Sequence, residues 1–95
     1  MTTEEVCLFL SNAGFERMGS VTTVGAVARI AGNRFAAAKW STRPRYQNGS
    51  VRVTVGPRTT AVYRWRPTLA FMATEPTKRL TAEILGRAIE MAQAT

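Results

Sequence analysis

The chain of 95 residues carries thirteen Lys and Arg against six acidic residues, has a formal net charge of +7 at pH 7, and contains no His. All six acids are Glu, so Asp is absent as well. Without His or Asp, and with a single Cys, the chain has no Ser–His–Asp triad, no Cys–His pair and no usual zinc ligand set. A pair of Glu residues could still act as acid and base, but we expect a non-enzymatic protein without cofactor or metal.

The length predicts a single domain over residues 1–95, with one modest core. Hydrophobic residues make up 45% of the chain, which is an ordinary share for a globular protein. No apolar stretch approaches the roughly 20 residues of a membrane-spanning helix, and the N-terminus lacks a basic leader. Cys7 has no second Cys to pair with and is interpreted as a core residue. These features predict a cytoplasmic protein without a membrane partner.

A first helix is predicted over about residues 3–13. Thr2 and Glu5 have the spacing of a capping box. Apolar residues then follow the spacing of one helix face, at Val6, Phe9, Leu10 and Ala13. Gly14 fits the left-handed position after a helix, and Phe15 fits the apolar residue that accompanies such an ending.

Residues 4–15, with the sequence EEVCLFLSNAGF, resemble the opening of HicA-type toxins. That family consists of small RNA-cleaving proteins with a double-stranded-RNA-binding-like fold, and a catalytic His follows shortly after a Gly–Ser pair. Here Val21 follows Gly19 and Ser20. The sequence therefore departs from the family at the catalytic position, and RNA cleavage of that type is not expected.

The segment from about residue 20 to 74 has the alternating pattern of an antiparallel meander of four to five strands. Its turn signals are Gly32-Asn33, Asn48-Gly49 and Gly56-Pro57. A two-residue loop at the first signal would pair Ile30 with Phe35 on one face of the sheet. The other face would then carry Arg29, Arg34 and Trp40.

A two-residue loop at the second signal would place Arg45 directly opposite Arg52, which is mildly unfavourable for two like charges. One face would carry Arg43, Arg45 and Arg52, and the opposite, buried face would carry Tyr46, Val51, Val53 and Val55. A single two-sided sheet then requires one change of side-chain parity. A β-bulge near residues 41–44 would supply it, because Pro44 favours a sheet edge or a bulge.

In the following strand, Tyr63 and Trp65 alternate with Arg64 and Arg66. We place the aromatic side chains in the core and the arginines outside, because burial of an unpaired charge is costly. A shift of the strand by one residue would exchange the two sets. The pairing of a last strand near residues 68–73 stays open.

A second helix is predicted over about residues 77–94, with Pro76 near its start and Glu83 and Arg87 as an i, i+4 pair. Its apolar stripe comprises Leu80, Ile84, Leu85, Ala88, Met91 and Ala92. The chain is therefore predicted to adopt an α+β fold, with an N-terminal helix, an antiparallel meander and a C-terminal helix. Both helices are expected to cover the same face of the sheet.

The other sheet face is the candidate binding site, and we call it the predicted arginine face. Its members are Arg29, Arg34, Trp40, Arg43, Arg45, Arg52, Arg64 and Arg66. Residues 17–74 hold ten basic side chains and no acid, and guanidinium groups bind phosphate oxygens in bidentate fashion. The face therefore predicts a nucleic-acid partner, with duplex DNA or structured RNA favoured because few aromatic side chains would be exposed for base stacking. For Trp40, packing at the sheet edge and stacking on a base both stay open.

Two other interpretations remain at this point. The arginines could form a solvated face without a partner. Alternatively, the chain could be a small phage- or mobile-element-type inhibitor or accessory protein, of an anti-defence or anti-CRISPR-like kind, that binds an acidic protein surface on a nucleic-acid-handling complex. Both functional hypotheses predict a salt-sensitive partner, and a homodimer is compatible with either.

Overall fold

The computed structural model describes residues 1–24 and 40–94 of the chain. In chain order these form α1 (Thr3–Asn12), β1 (Glu16–Val24), β2 (Trp40–Asn48), β3 (Val51–Val55), β4 (Thr59–Arg64), β5 (Met72–Pro76), a 3-10 helix (Thr77–Arg79) and α2 (Ala82–Ala94). The five strands make one antiparallel sheet in the order β1-β2-β3-β4-β5, which confirms the predicted α+β meander. The predicted hairpin at Gly32 and Asn33, with Arg29 and Arg34, lies outside the described residues.

Helix α1 begins and ends as its sequence predicts. The Glu5 backbone N–H donates to Thr2 Oγ1 at 3.1 Å, and the Thr2 backbone N–H donates to the Glu5 carboxylate at 2.9 Å. This backbone hydrogen bond lowers the pKa of Glu5 below its ordinary value. At the other end, Gly14 has a φ of 87°, and the Phe15 N–H donates to the Leu10 carbonyl at 2.9 Å. This geometry directs the chain from the helix into β1.

Both helices pack on one face of the sheet around a single core. The core comprises Val6, Leu10, Phe15, Tyr46, Val51, Val53, Val55, Val62, Leu80, Leu85, Ala88, Ile89 and Ala92. Along β3, the three valines are buried, whereas Arg52 and Thr54 between them are half-buried. The opposite side of the sheet, which α1 and α2 do not cover, is called the outer face below.

Helix α2 begins later than predicted. The chain continues as β5 to Pro76, passes through the 3-10 helix, and becomes α-helical at Ala82. The Thr81 hydroxyl accepts a hydrogen bond from the Ile84 N–H at 3.2 Å and thereby supplies the N-terminal cap. The predicted pair of Glu83 and Arg87 is confirmed, with 3.1 Å between carboxylate and guanidinium. In the described ranges, no helix combines the length and apolar character needed to cross a membrane.

The buried stripe of α2 is narrower than the predicted one. Leu85, Ala88, Ile89 and Ala92 are buried, at the spacing of one helix face. Ile84 and Met91, which were predicted in the stripe, are 42% and 53% exposed. A helix that packs on a sheet from one side buries only this face, so apolar residues at its flank stay accessible.

The hairpin between β2 and β3 has Gly49 and Ser50 as its loop, because Asn48 pairs with Val51. The prediction that Arg45 lies opposite Arg52 is therefore wrong. Arg52 lies opposite Gln47 and donates from Nε to the amide oxygen of Gln47 at 3.0 Å, while Arg45 lies opposite Thr54. This register separates the two like charges in the ladder. Because the register moves by an even number of residues, the faces of both strands stay as predicted.

The predicted bulge near residues 41–44 is also wrong. On β2 the pairing with β1 runs without interruption from Trp40 to Pro44, and the register shifts between Arg17 and Ser20 on β1. Gly19 in this interval has a φ of 82°, which a residue without a side chain adopts readily. The extra residue therefore lies in the partner strand. Pro44 lies one residue beyond the end of the β2–β3 ladder, where it does not interrupt that ladder.

The prediction that Tyr63 lies in the core and Arg64 outside is wrong, because β4 adopts the alternative that is shifted by one residue. Val62 lies opposite Val53 in the core layer, Tyr63 lies opposite Arg52 on the outer face, and Arg64 falls on the core side. No charge is buried by this arrangement, because Arg64 is the last residue of β4. Its Nε donates to the Arg66 carbonyl at 2.7 Å in an exposed setting. The final strand, β5, pairs with β4 from Met72 to Pro76.

A buried pair of hydroxyl groups gives a first testable prediction. Thr77 Oγ1 donates to the Gly56 carbonyl at 2.7 Å and lies 2.9 Å from Thr60 Oγ1, and both threonines are 1% exposed. Since each hydroxyl has one proton, Thr60 must donate to Thr77. Thr77→Val should lower the free energy of unfolding by about 1–3 kcal/mol, because two buried groups lose their partner. Thr60→Val should cost less, since Thr77 keeps its bond to Gly56. Urea denaturation measures both, and equal losses would contradict this order.

Candidate functional site

The outer face presents the side chains that alternate with the core residues of each strand. Its described members on β2 to β5 include Arg43, Arg45, Gln47, Arg52, Thr54, Ala61, Tyr63, Met72 and Thr74. One row across the sheet runs from Arg45 through Thr54 and Ala61 to Thr74. The next row runs from Gln47 through Arg52 and Tyr63 to Met72. Small side chains thus form the middle of the face, with arginines beside them on β2 and β3.

Arg43 and Arg45 lie on the same side of β2 and are both half-buried. The Nε atom of each is buried and makes no hydrogen bond within the described part of the chain. The Arg43 guanidinium lies against Gly56, where an added Cβ would come within 3.0 Å of it. In the same part of the chain no carboxylate forms an ion pair with either arginine. Because the Nε atoms are buried, only the terminal nitrogens of each guanidinium group can donate to an external anion.

A second group of cations surrounds Trp65, and we call Arg52, Trp65 and Arg66 the Trp65 cluster. The guanidinium carbon of Arg52 lies 3.7 Å from the centroid of the Trp65 ring, and that of Arg66 lies 4.2 Å from it. The indole Nε1 donates to the Gly49 carbonyl at 3.1 Å, and the Trp65 backbone N–H donates to the Ser50 carbonyl at 2.9 Å. These bonds fix the ring at the end of the sheet, and cation–π attraction holds both arginines on it.

The structure assigns the predicted site residues to different places. Arg43, Arg45 and Arg52 lie on the outer face, as predicted. Arg66 follows the last paired residue of β4 and joins Arg52 through Trp65, whereas Arg64 falls in a row on the core side. Arg29 and Arg34 lie outside the described residues. The Trp40 backbone begins β2, and the role of its side chain stays a prediction.

Sequence reasoning missed Tyr63 and Trp65 as members of this surface. Tyr63 lies opposite Arg52 and is half-buried, as is Trp65. The available signal was the alternation of Arg64, Trp65 and Arg66 itself, because arginines that flank a tryptophan can contact its ring. The preference for burying large aromatic side chains outweighed that signal.

One acidic side chain lies at the edge of the outer face, and one buried phenol lies in the core layer beneath it. Glu16 on β1, opposite Gln47, is exposed and places an acid at the sheet edge. In the core layer, Tyr46 is 5% exposed. A hydrogen bond with the Cys7 side chain and burial raise the pKa of Tyr46, so its hydroxyl is neutral at physiological pH. Cys7, which was predicted as a core residue, is only partly buried and packs against the core. Residues 40–64, which form β2 to β4, contain no acidic residue. The formal charges on these three strands are therefore all positive.

Comparison with protein-family models, with curated proteins and with solved structures gives no match for this chain. The resemblance of residues 4–15 to the HicA opening therefore concerns that segment alone. Within the described residues, His, Cys, Asp and Glu form no group of three or more that could hold a metal ion. Function has to be inferred from the chemistry of the outer face.

Proposed function

We propose that this protein is a non-enzymatic module that binds the phosphate backbone of a nucleic acid, duplex DNA or structured RNA, through its outer face. One observation carries the proposal. Arg43, Arg45 and Arg52 project from the sheet face that the helices leave uncovered, and no acid among the described residues pairs with them. The three like charges share one face and therefore repel each other. A polyanion relieves this repulsion, and its condensed counterions are released on binding.

The same surface favours backbone contact over the reading of bases. The ring of Trp65 already contacts two guanidinium groups, so it offers little free surface for a base. Tyr63 is the other aromatic residue of the described outer face, and single-strand binding usually relies on several stacking rings. Beside the arginines of β2 and β3 lie Thr54 and Ala61, whose small side chains let a backbone approach closely. We therefore expect binding with little sequence preference.

A fluorescence anisotropy titration tests the proposal on labelled duplex DNA, single-stranded DNA and an RNA hairpin. The duplex should bind, and its affinity should fall with salt. A slope of about −0.9 is expected for each phosphate contacted, or about −3 for three to four arginines. Scrambling the duplex sequence should change the affinity little. Absence of binding to all three probes at low salt would contradict the proposal and favour the inhibitor hypothesis, in which the same arginines bind an acidic protein surface.

A further inference from the structure

We propose that the Trp65 cluster is a preassembled phosphate-binding site, in which Arg52 and Arg66 grip the backbone of one nucleic-acid strand and Trp65 positions both. The ligand group is a phosphodiester, so the inference rests on the proposed function. It adds a defined subsite at the β3–β4 end of the outer face.

The two cations of the cluster lie close to the same ring. Arg52 and Arg66 both contact the ring of Trp65, at 3.7 and 4.2 Å from its centroid. The two guanidinium carbons of like charge therefore lie no farther apart than the sum of these two distances. The negative face of the ring attracts each of them, but it does not neutralise their charge. In residues 1–24 and 40–94, neither arginine forms an ion pair with a carboxylate. A nucleic-acid strand whose backbone contacts both groups supplies the missing charge.

The groups of the cluster are held in place by contacts within the chain. Arg52 uses its Nε in the hydrogen bond to Gln47 at 3.0 Å. The two terminal nitrogens of Arg52 remain, and they have the fork geometry that matches two phosphate oxygens. The Arg66 carbonyl accepts from Arg64 Nε at 2.7 Å, which fixes the chain beyond β4. Because these side chains are already held, binding a phosphate orders fewer rotamers.

Trp65 acts in this site as a positioning residue rather than as a platform for a base. Its indole is anchored on the Gly49 carbonyl at 3.1 Å and is contacted by cations. Trp65→Leu should therefore weaken duplex binding by removing the support of Arg52, while Trp65→Phe should restore most of it, because a phenyl ring retains cation–π attraction. If Trp65 works through Arg52, the effects of Trp65→Leu and Arg52→Gln should not add in a double-mutant cycle.

The experiment measures duplex DNA affinity of the full chain by anisotropy as a function of salt. Arg52→Gln and Arg66→Gln should each lower the affinity about tenfold and reduce the salt slope by about one. Arg52→Lys should also weaken binding, because lysine keeps the charge and loses the planar fork. The matched control is Arg87→Gln, which removes one charge from α2 on the other side of the sheet. Its affinity should change by less than about twofold. Circular dichroism melting checks that each variant folds.

The outcomes separate the two proposals. If the wild type binds the duplex while Arg52→Gln and Arg66→Gln bind equally well, the Trp65 cluster is not a phosphate site, and the proposed function stands on Arg43 and Arg45. If Arg87→Gln weakens binding as much as they do, net charge explains the effect and the subsite is overturned. Additive effects of Trp65→Leu and Arg52→Gln would overturn the positioning role. No binding by the wild type overturns both proposals.

Discussion

Replacement of Arg43 and Arg45 together by Gln is expected to lower the affinity for a DNA duplex by about a hundredfold or more at moderate salt. Both guanidinium groups lie on the outer face without a carboxylate partner in the described chain. Each can therefore make charge-assisted bonds to phosphate oxygens and release counterions. The salt slope should become less steep by about two, because two phosphate contacts are lost. Anisotropy titrations over a range of salt concentrations measure both quantities.

The same double substitution should leave the fold intact. The buried Nε atoms of Arg43 and Arg45 make no hydrogen bond within the described residues, so the substitution breaks no hydrogen bond of these two atoms. It also relieves the repulsion between two like charges. The melting temperature by circular dichroism should be unchanged or higher.

A control with Arg79→Gln and Arg87→Gln removes the same charge from the 3-10 helix and α2. An equal loss of affinity in that control would show that net charge alone governs binding. Unfolding of the double variant would show that the arginine stems pack in the structure and that the outer face is not a free surface.

The features that could be predicted from the sequence are those with a local physical cause. The limits of α1 follow from the capping box at Thr2 and from Gly14, whose backbone occupies the left-handed region. The buried faces of β2 and β3 follow from period-2 alternation, because successive side chains of a strand point to opposite faces of the sheet. Tyr46 and the valines of β3 accordingly all lie in the core. The position of Arg43, Arg45 and Arg52 on a common face depends only on this parity.

The strand register could not be predicted, because several turns fit the same residues. Asn48, Gly49 and Ser50 allow more than one two-residue loop, and the choice determines whether Arg52 lies opposite Arg45 or Gln47. The observed choice separates two like charges and gives Arg52 a hydrogen-bond partner in Gln47. Such pairwise terms are of the order of 1 kcal/mol or less, and they involve residues on both strands, so inspection of one strand does not reveal them.

The error at β4 has a different cause. The sequence analysis assumed that each residue of the strand is either fully buried or fully exposed. On that assumption, burying Tyr63 costs less than burying Arg64, so the tyrosine was placed in the core. Arg64 does not fit this assumption. It is the last residue of β4, and although it lies on the core side, its guanidinium donates to a backbone carbonyl in an exposed setting. Trp65 likewise combines contact with cations and a hydrogen bond to the Gly49 carbonyl. End effects of this kind depend on where the strand stops, which the alternating pattern does not show.

Charge is distributed unevenly over the fold. Four of the six acids lie on the helices and are exposed, namely Glu4, Glu5, Glu83 and Glu90. The helices cover one side of the sheet, while Arg43, Arg45 and Arg52 project from the other. Lys78, Arg79 and Arg87 on the 3-10 helix and α2 largely offset these acids, so a polyanion is attracted to the outer face and only weakly affected by the opposite side. If the protein binds a nucleic acid as proposed, this asymmetry should favour encounters through the outer face, and its effect should weaken as salt rises.

Leu85→Ala is expected to lower the free energy of unfolding by about 3 kcal/mol, within the usual range of about 2–5 kcal/mol for a buried leucine. Leu85 is 0% exposed and packs in the core beneath the sheet. Its neighbour Ile84 is 42% exposed at the flank of α2, so Ile84→Ala removes a similar side-chain volume and should cost less than about 1 kcal/mol. Urea denaturation with unchanged m-values provides the comparison.

This pair of substitutions distinguishes the observed face of α2 from the wider stripe that its sequence predicts, because that stripe contains both residues. Equal losses would place Ile84 in the core and contradict the orientation of the helix. A domain of this size is stabilised by only about 5–15 kcal/mol, so Leu85→Ala removes a large fraction of that stability. The variant that remains folded should still bind duplex DNA with unchanged affinity, because Leu85 lies on the side of the sheet opposite the arginines. Weaker binding by the folded variant would indicate that the outer face depends on the packing of α2 beneath it.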